Sequence, residues 1–200
     1  MVVGESHYTT DAVAVGTGSL GFTAEVVRWF VHGRRYNRFF ANFTKAALGA
    51  FRQEDVEAFW DSVIFYNYVP VLVDGRSHAK GGMNRRPTDA MFKAGAAPFR
   101  EVLSRYEPQA VIVCGLTLWS WLAPNLDGFE GPARDVVFYD DGRSVFTRMH
   151  HPSYRKFDPA YWMPRIRTLV EMSAAPRERG SKIAWQQELG LSNWIRPPAK

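Results

Sequence analysis

Apolar positions along the chain fall into short continuous runs separated by Gly, Pro and Asn. Ser62-Val63-Ile64-Phe65-Tyr66, Gln109-Ala110-Val111-Ile112-Val113-Cys114 and Ser144-Val145-Phe146 are runs of this kind. Their length and β-branched content predict strands buried on both faces. Met1 to Val3, stopping at Gly4, predicts a further strand. Asp135 to Tyr139 and Ser144 to Phe146 flank Asp140-Asp141-Gly142, which predicts a hairpin turn. Longer stretches with helical character lie between these runs. They start at Phe22, with Thr23 as N-cap, and cover Tyr36 to Phe43, Glu54 to Trp60, Thr88 to Tyr106, Thr117 to Leu122 and Tyr161 to Met172. Pro108 and Pro124 end two of them. Strands alternating with helices predict an α/β fold: a three-layer α/β/α sandwich around a central, mostly parallel, four-stranded sheet. One domain is expected over residues 1–175. Residues 176–200 are read as a C-terminal extension, with a short helix near Ile183 to Leu189.

In an open α/β sheet, ligands bind beyond the C-terminal ends of the strands. Three such ends carry polar loops here: Gly4 to Tyr8, Asn67 to Pro70 and His150 to Tyr154. Pro152 cannot donate to a ladder, so His151 and Ser153 are expected on a tight loop. Asp74 to Pro87 is a long loop bearing Arg76, Lys80, Arg85 and Arg86, of the length usually associated with function.

The composition, 46% hydrophobic and 22% charged, is that of a globular chain. No apolar run approaches the roughly 20 residues of a membrane span, and no basic-then-apolar signal pattern is visible at the start. A cytoplasmic protein with no membrane partner is expected. Cys114 is the only cysteine, which excludes an intrachain disulfide and a cysteine-held zinc or iron–sulfur cluster within one chain. The net charge of +5 fits a nucleic-acid partner without requiring one. Val26 to Gln53 holds six Lys and Arg residues and no Asp or Glu, interleaved with aromatics. Such a stretch reads either as a basic, base-stacking face or as two helices with aromatics inward.

Gly16-Thr17-Gly18-Ser19-Leu20-Gly21 matches G-x-G-x-x-G and raises a dinucleotide-binding, Rossmann-like alternative. The acidic residue that the fingerprint wants about 20 positions on is missing. The His150-His151 pair has no Asp, Glu or further His at ligand spacing, so no metal and no other cofactor is expected.

Taken jointly and in order, Gly4-Glu5-Ser6-His7-Tyr8, Phe65-Tyr66-Asn67-Tyr68-Val69-Pro70 and His151-Pro152-Ser153 resemble the uracil-DNA glycosylase superfamily over roughly Met1 to Val170. That resemblance implies a monofunctional DNA glycosylase, a monomer that hydrolyses the N-glycosidic bond of uracil or another deaminated base in DNA. It implies that Asn67 reads the base edge, with Gly4, Tyr8 and Tyr66 shaping the pocket. It implies that His151 donates to the oxygen that turns negative as the base leaves. Ser153, His150, Tyr154 and Arg155 would meet the DNA, together with Arg85 and Arg86. The chain departs from the family at two positions. His7 stands where the family has proline, and Ser6 where it has the Asp or Asn that positions water, which moves water activation to Glu5 or His7. Ser6 also keeps open a protein that binds DNA, a nucleobase or a nucleotide without cleaving it.

Overall fold

The structure is a computed structural model. It describes residues 1–18, 21–75 and 86–175, and the backbone of 183–185. The strands of the main sheet are β1 (Val2–Gly4), β3 (Phe65–Asn67), β5 (Ala110–Cys114), β6 (Phe138–Asp140), β7 (Val145–Met149) and β8 (Ile183–Trp185). Their order is β3-β1-β5-β7-β6-β8. β3, β1, β5 and β7 run parallel. The sheet is mostly parallel as expected, but its six strands among the described residues correct the expected four. β6 pairs antiparallel with β7 through the expected hairpin, and β8 pairs antiparallel with β6. The helix expected near Ile183 is therefore corrected to a strand over Ile183–Trp185; the rest of that expected helix lies outside the described residues. The exposed edge of β6 supplies the reason, since an open row of N–H and C=O groups is satisfied by a further strand. A second, two-stranded sheet joins β2 (Tyr8–Thr9) in parallel to β4 (Val73–Asp74).

The apolar runs of the strands divide by the two-residue period of the pleat. Val2, Ile112, Cys114 and Val145 face one core with Phe43, Trp60, Trp162 and Leu169. These come from α2 (Arg38–Leu48), α3 (Gln53–Ser62) and α6 (Pro159–Ala174). Val3, Val111, Val113 and Phe146 face the other core with Phe92, Phe99, Leu118 and Trp119. These lie on α4 (Asp89–Tyr106) and α5 (Leu116–Leu122). Helices on both faces leave no polar position along β5, which is why that strand reads as an unbroken apolar run. No helix among the described residues is long and apolar enough to cross a membrane.

Local signals explain most boundaries. The Thr88 side chain accepts from Met91 N and caps α4 as expected. Asn37 caps α2 by accepting from Phe39 N, and Asp158 caps α6 by accepting from Ala160 N. α1 (Phe22–Val27) departs from expectation. Its N-cap is Gly21, in the left-handed region, and Thr23 sits inside the helix with its hydroxyl turned to another task. A π-helical turn, Arg28–His32, continues α1, a geometry frequent at functional sites.

α4 reaches the sheet through Gly95. A Cβ there would lie 2.5 Å from the Tyr68 carbonyl oxygen and 2.8 Å from its ring. The Tyr68 ring is fully buried, so neither neighbour can yield cheaply. Gly95→Ala is expected to lower unfolding stability by about 1–3 kcal/mol, the range for an overpacked core. Chemical denaturation of the two proteins side by side measures this, and an unchanged midpoint would refute the close packing of α4.

Candidate functional site

Register fixes the site first. β1 and β3 pair with Gly4 opposite Asn67, and Tyr68 N and Val69 N continue the pairing onto Gly4 O and Glu5 O. At the neighbouring strand ends Gly115 N donates to Met149 O, tying the end of β5 to that of β7. All four parallel strands thus release their loops on one edge of the sheet. That edge carries a cavity of about 960 Å³. Its wall combines Gly4 to Tyr8, Asn67, Gly115 to Thr117 and the 150–154 loop, and Phe22, Trp29 and Phe39 close it from the helices.

Asn67 is 7% exposed and lies against the main chain of Gly4. A Cβ at position 4 would stand 2.3 Å from Asn67 Oδ1. Glycine is needed there for the approach itself. The other end of the carboxamide, Nδ2, is 2.8 Å from His7 Nε2. The same ring nitrogen is 3.0 Å from Thr23 Oγ1. Phe22 meets the His7 ring edge-on at 4.8 Å. Burial lowers the His7 pKa to about 4, so the ring is neutral near pH 7 and Nε2 can accept from Asn67.

His151 is held from two sides. Its Nδ1 accepts from Ser153 N at 3.2 Å, which in a neutral ring leaves the proton on Nε2. Burial first, and then the charge of Arg86, lowers its pKa to about 4. The ring rests on Phe39 at 5.3 Å between centroids. Asn42 Nδ2 donates to Pro152 O at 2.7 Å, and Tyr154 N donates to His151 O at 2.8 Å. The site therefore offers a neutral N–H donor on a loop clamped by α2.

Glu5 and Tyr8 form a pair on the cavity wall. The Tyr8 hydroxyl donates to Glu5 Oε1 at 3.0 Å. Burial raises the Glu5 pKa, and the Tyr8 hydrogen bond and Arg86 charge oppose it. Tyr8 is pushed up to about 12, chiefly by burial, and remains a donor at any working pH; the nearby Ser6 hydroxyl offsets this slightly. Ser6 Oγ is sealed from solvent and makes no hydrogen bond of good geometry among the described residues. Arg86 donates from Nη1 to Thr117 Oγ1 at 3.1 Å at the mouth.

Gly4, Glu5, Ser6, His7, Tyr8, Asn67, Arg86, His150, His151, Ser153 and Tyr154 all line this one cavity. Tyr66 is a correction: it follows Phe65 and precedes Asn67, so the pleat turns it to the opposite face. There it packs on Phe99 at 5.9 Å between ring centroids. Arg155 is exposed and does not line the cavity. Arg85 lies outside the described residues. His150 sits between Tyr154 and Trp162, at the cavity edge. The aromatics of the basic stretch are mostly core: Phe39, Phe40 and Phe43 are buried, and Trp29 and Tyr36 are exposed. The dinucleotide fingerprint fails locally, because Ala12 to Gly16 form turns and no strand leads into the glycines. Sequence reasoning overlooked Thr23, Asn42 and Gly115 to Thr117. The last three were reachable, since Gly115 ends a parallel strand on the same edge. Among the described residues no three His, Cys, Asp or Glu side chains come together to hold a metal ion. The chain matches no protein-family model and no curated protein sequence.

The two glycine contacts differ in kind. At Gly4 the obstructed atom is the tip of a side chain that can swing away. Gly4→Ala is expected to leave most of the folding stability in place and to displace the Asn67 carboxamide. Loss of the Asn67 Nδ2 signal position in ¹⁵N spectra, with a folded spectrum otherwise, is the expected result; an unmoved signal would refute the contact. The buried histidines make a second prediction. Between about 6.5 and 4 the unfolded chain protonates His7 and His151 and the native chain does not. The unfolded state then binds more protons, so stability falls as pH drops through that window. Glu5, with its raised pKa, acts in the opposite sense. A His7→Asn, His151→Asn double variant should flatten the acid slope; an unchanged slope would show that neither ring is buried neutral.

Proposed function

We propose that the protein is a DNA glycosylase with a uracil-DNA glycosylase-like fold, hydrolysing the N-glycosidic bond of uracil or another deaminated base. One observation carries the reading: a carboxamide, Asn67, and a neutral imidazole donor, His151, reach one cavity from the ends of separate parallel strands. An amide supplies a donor and an acceptor for a base edge. A base leaving as an anion needs a donor at the oxygen that gains charge, and a fixed N–H in a dry site does this best. Nδ1 of His151 is occupied by Ser153 N, so Nε2–H is the end left to donate.

Water attacks the sugar carbon C1′ as the glycosidic bond breaks, and the bonding pair leaves with the base. Glu5 is the base for that water. Its carboxylate is on the cavity wall, and burial raises its proton affinity. His7 is less suited, because its Nε2 is already engaged by Asn67 and Thr23. The partner is DNA with the target base flipped out of the stack. Arg86 at the mouth supplies a cation for phosphate, and Trp29 and Tyr154, 54% and 51% exposed, supply faces for neighbouring bases.

A second reading, binding without hydrolysis, is favoured by Ser6, whose sealed hydroxyl replaces the Asp or Asn of the resembled family. The turn geometry before Gly16 favours no dinucleotide role.

Oligonucleotides carrying uracil or hypoxanthine, single-stranded and duplex, separate these readings. Release of the base by the wild-type protein is expected. His151→Ala should reduce it by about 10²-fold or more, as for a lost oxyanion donor, and Asn67→Ala should abolish it. Tight binding with no release from any substrate would favour the binding role, and unchanged release in both variants would overturn the site.

A further inference from the structure

We infer that His7, backed by Thr23, is a specificity-determining positioning residue: it fixes which way round the Asn67 carboxamide faces, and so selects bases that present an N–H beside a carbonyl. The inference rests on the proposed function and concerns one of the two positions where this chain departs from the resembled family.

A carboxamide is nearly symmetric in shape and opposite in polarity at its two ends. Left alone, Asn67 could present either pattern to a base. Two contacts break that symmetry. On one side Nδ2 lies 2.8 Å from His7 Nε2. With the ring neutral and its lone pair at Nε2, only the nitrogen end can face it, because an oxygen there would set two lone pairs against each other. On the other side Oδ1 lies along the direction of a Gly4 Cα–H, 2.3 Å from where a Cβ would stand. A Cα–H accepts an oxygen as neighbour and clashes with an amide N–H. Both contacts demand the same orientation. Thr23 Oγ1 lies 3.0 Å from the same ring nitrogen and, with the lone pair at Nε2, shares that one acceptor with Asn67 Nδ2. Phe22 holds the ring edge-on.

In this orientation Asn67 keeps Oδ1 and its second Nδ2 proton for a ligand. The complementary edge has an N–H next to a C=O, as in uracil and hypoxanthine. Cytosine and adenine present a ring nitrogen acceptor beside an amino group, and would meet like against like. Sites that hydrogen-bond a substrate group reject the mismatched analogue strongly, because buried polar groups are left unpaired. His7 touches no reacting atom in this scheme; it acts through Asn67.

The test has two arms. The first is ¹⁵N spectroscopy of the His7 ring in the intact protein, with no substrate. An unprotonated Nε2, coupled to a shifted Asn67 Nδ2 proton, is expected. A protonated Nε2 at neutral pH would overturn the inference whatever the activity. The second arm compares binding of oligonucleotides carrying uracil with those carrying cytosine at the same position. His7→Leu should reduce the preference for uracil by about tenfold or more. Thr23→Val should reduce it in the same direction, and Thr23→Ser should restore it. If His7 instead activates water, His7→Leu would slow release and leave the preference intact, which also overturns the inference. A wild-type preference for uracil that His7→Leu removes, with an unprotonated Nε2, in a protein that releases no base would sink the glycosylase reading and leave the orientation lock standing.

Discussion

The close approach of Asn67 to the Gly4 main chain is the contact on which the rest of the site depends. It exists because β1 and β3 are parallel neighbours with those two residues in register. It tolerates no side chain at position 4. Once Asn67 is seated there, its Nδ2 can meet His7 only because the loop after β1 turns back toward α1. The β2–β4 pairing holds that turn, with Val73 N donating to His7 O and Gly75 N to Thr9 O. This two-stranded sheet thus holds the His7 main chain and contributes Val73 to one core.

The second half of the site depends on α2. The same helix buries Phe40 and Phe43, seats His151 on Phe39, and clamps the Pro152 carbonyl through Asn42. Packing and positioning are therefore one structure. A helix whose aromatics faced solvent for stacking could not also fix the loop. The core aromatics lie on α2, and the exposed Trp29 lies apart from them on the π-helical turn. Polar groups in this region are mostly tied down, as buried donors and acceptors must be. Ser6 Oγ departs from that rule.

How much of this was legible in the sequence follows from what each signal reports. Apolar runs report burial on both faces of a sheet, so β5 and the parallel order of the sheet were readable, and with them the edge where the loops meet. Asn67, His151 and Glu5 could be singled out because they lie at or just beyond strand ends. Tyr66 could not be excluded without the exact start of β3; a shift of one residue in a strand exchanges its faces. Ile183–Trp185 was misread because a short apolar stretch does not distinguish helix from strand, and the open edge of β6 decides it. Thr23 was read as a cap because threonine before a helical stretch usually is one. Gly21 takes that position instead, and the hydroxyl is spent on His7. A partner sixteen residues away leaves no periodicity in the sequence.

The electrostatics of the cavity have a single logic. His7 and His151 are neutral, Tyr8 stays protonated, and Glu5 is drawn toward its neutral form by burial. Against these stands Arg86, whose charge is felt at Glu5, Tyr8 and His151. Neutral donors in a site of low dielectric interact weakly with a neutral base and strongly with the same base once it becomes an anion. In the proposed reaction, the hydrogen bond from an uncharged His151 would strengthen as the base gains charge. The burial that lowers the His7 and His151 pKa values is the same burial from which the acid-side loss of stability is expected.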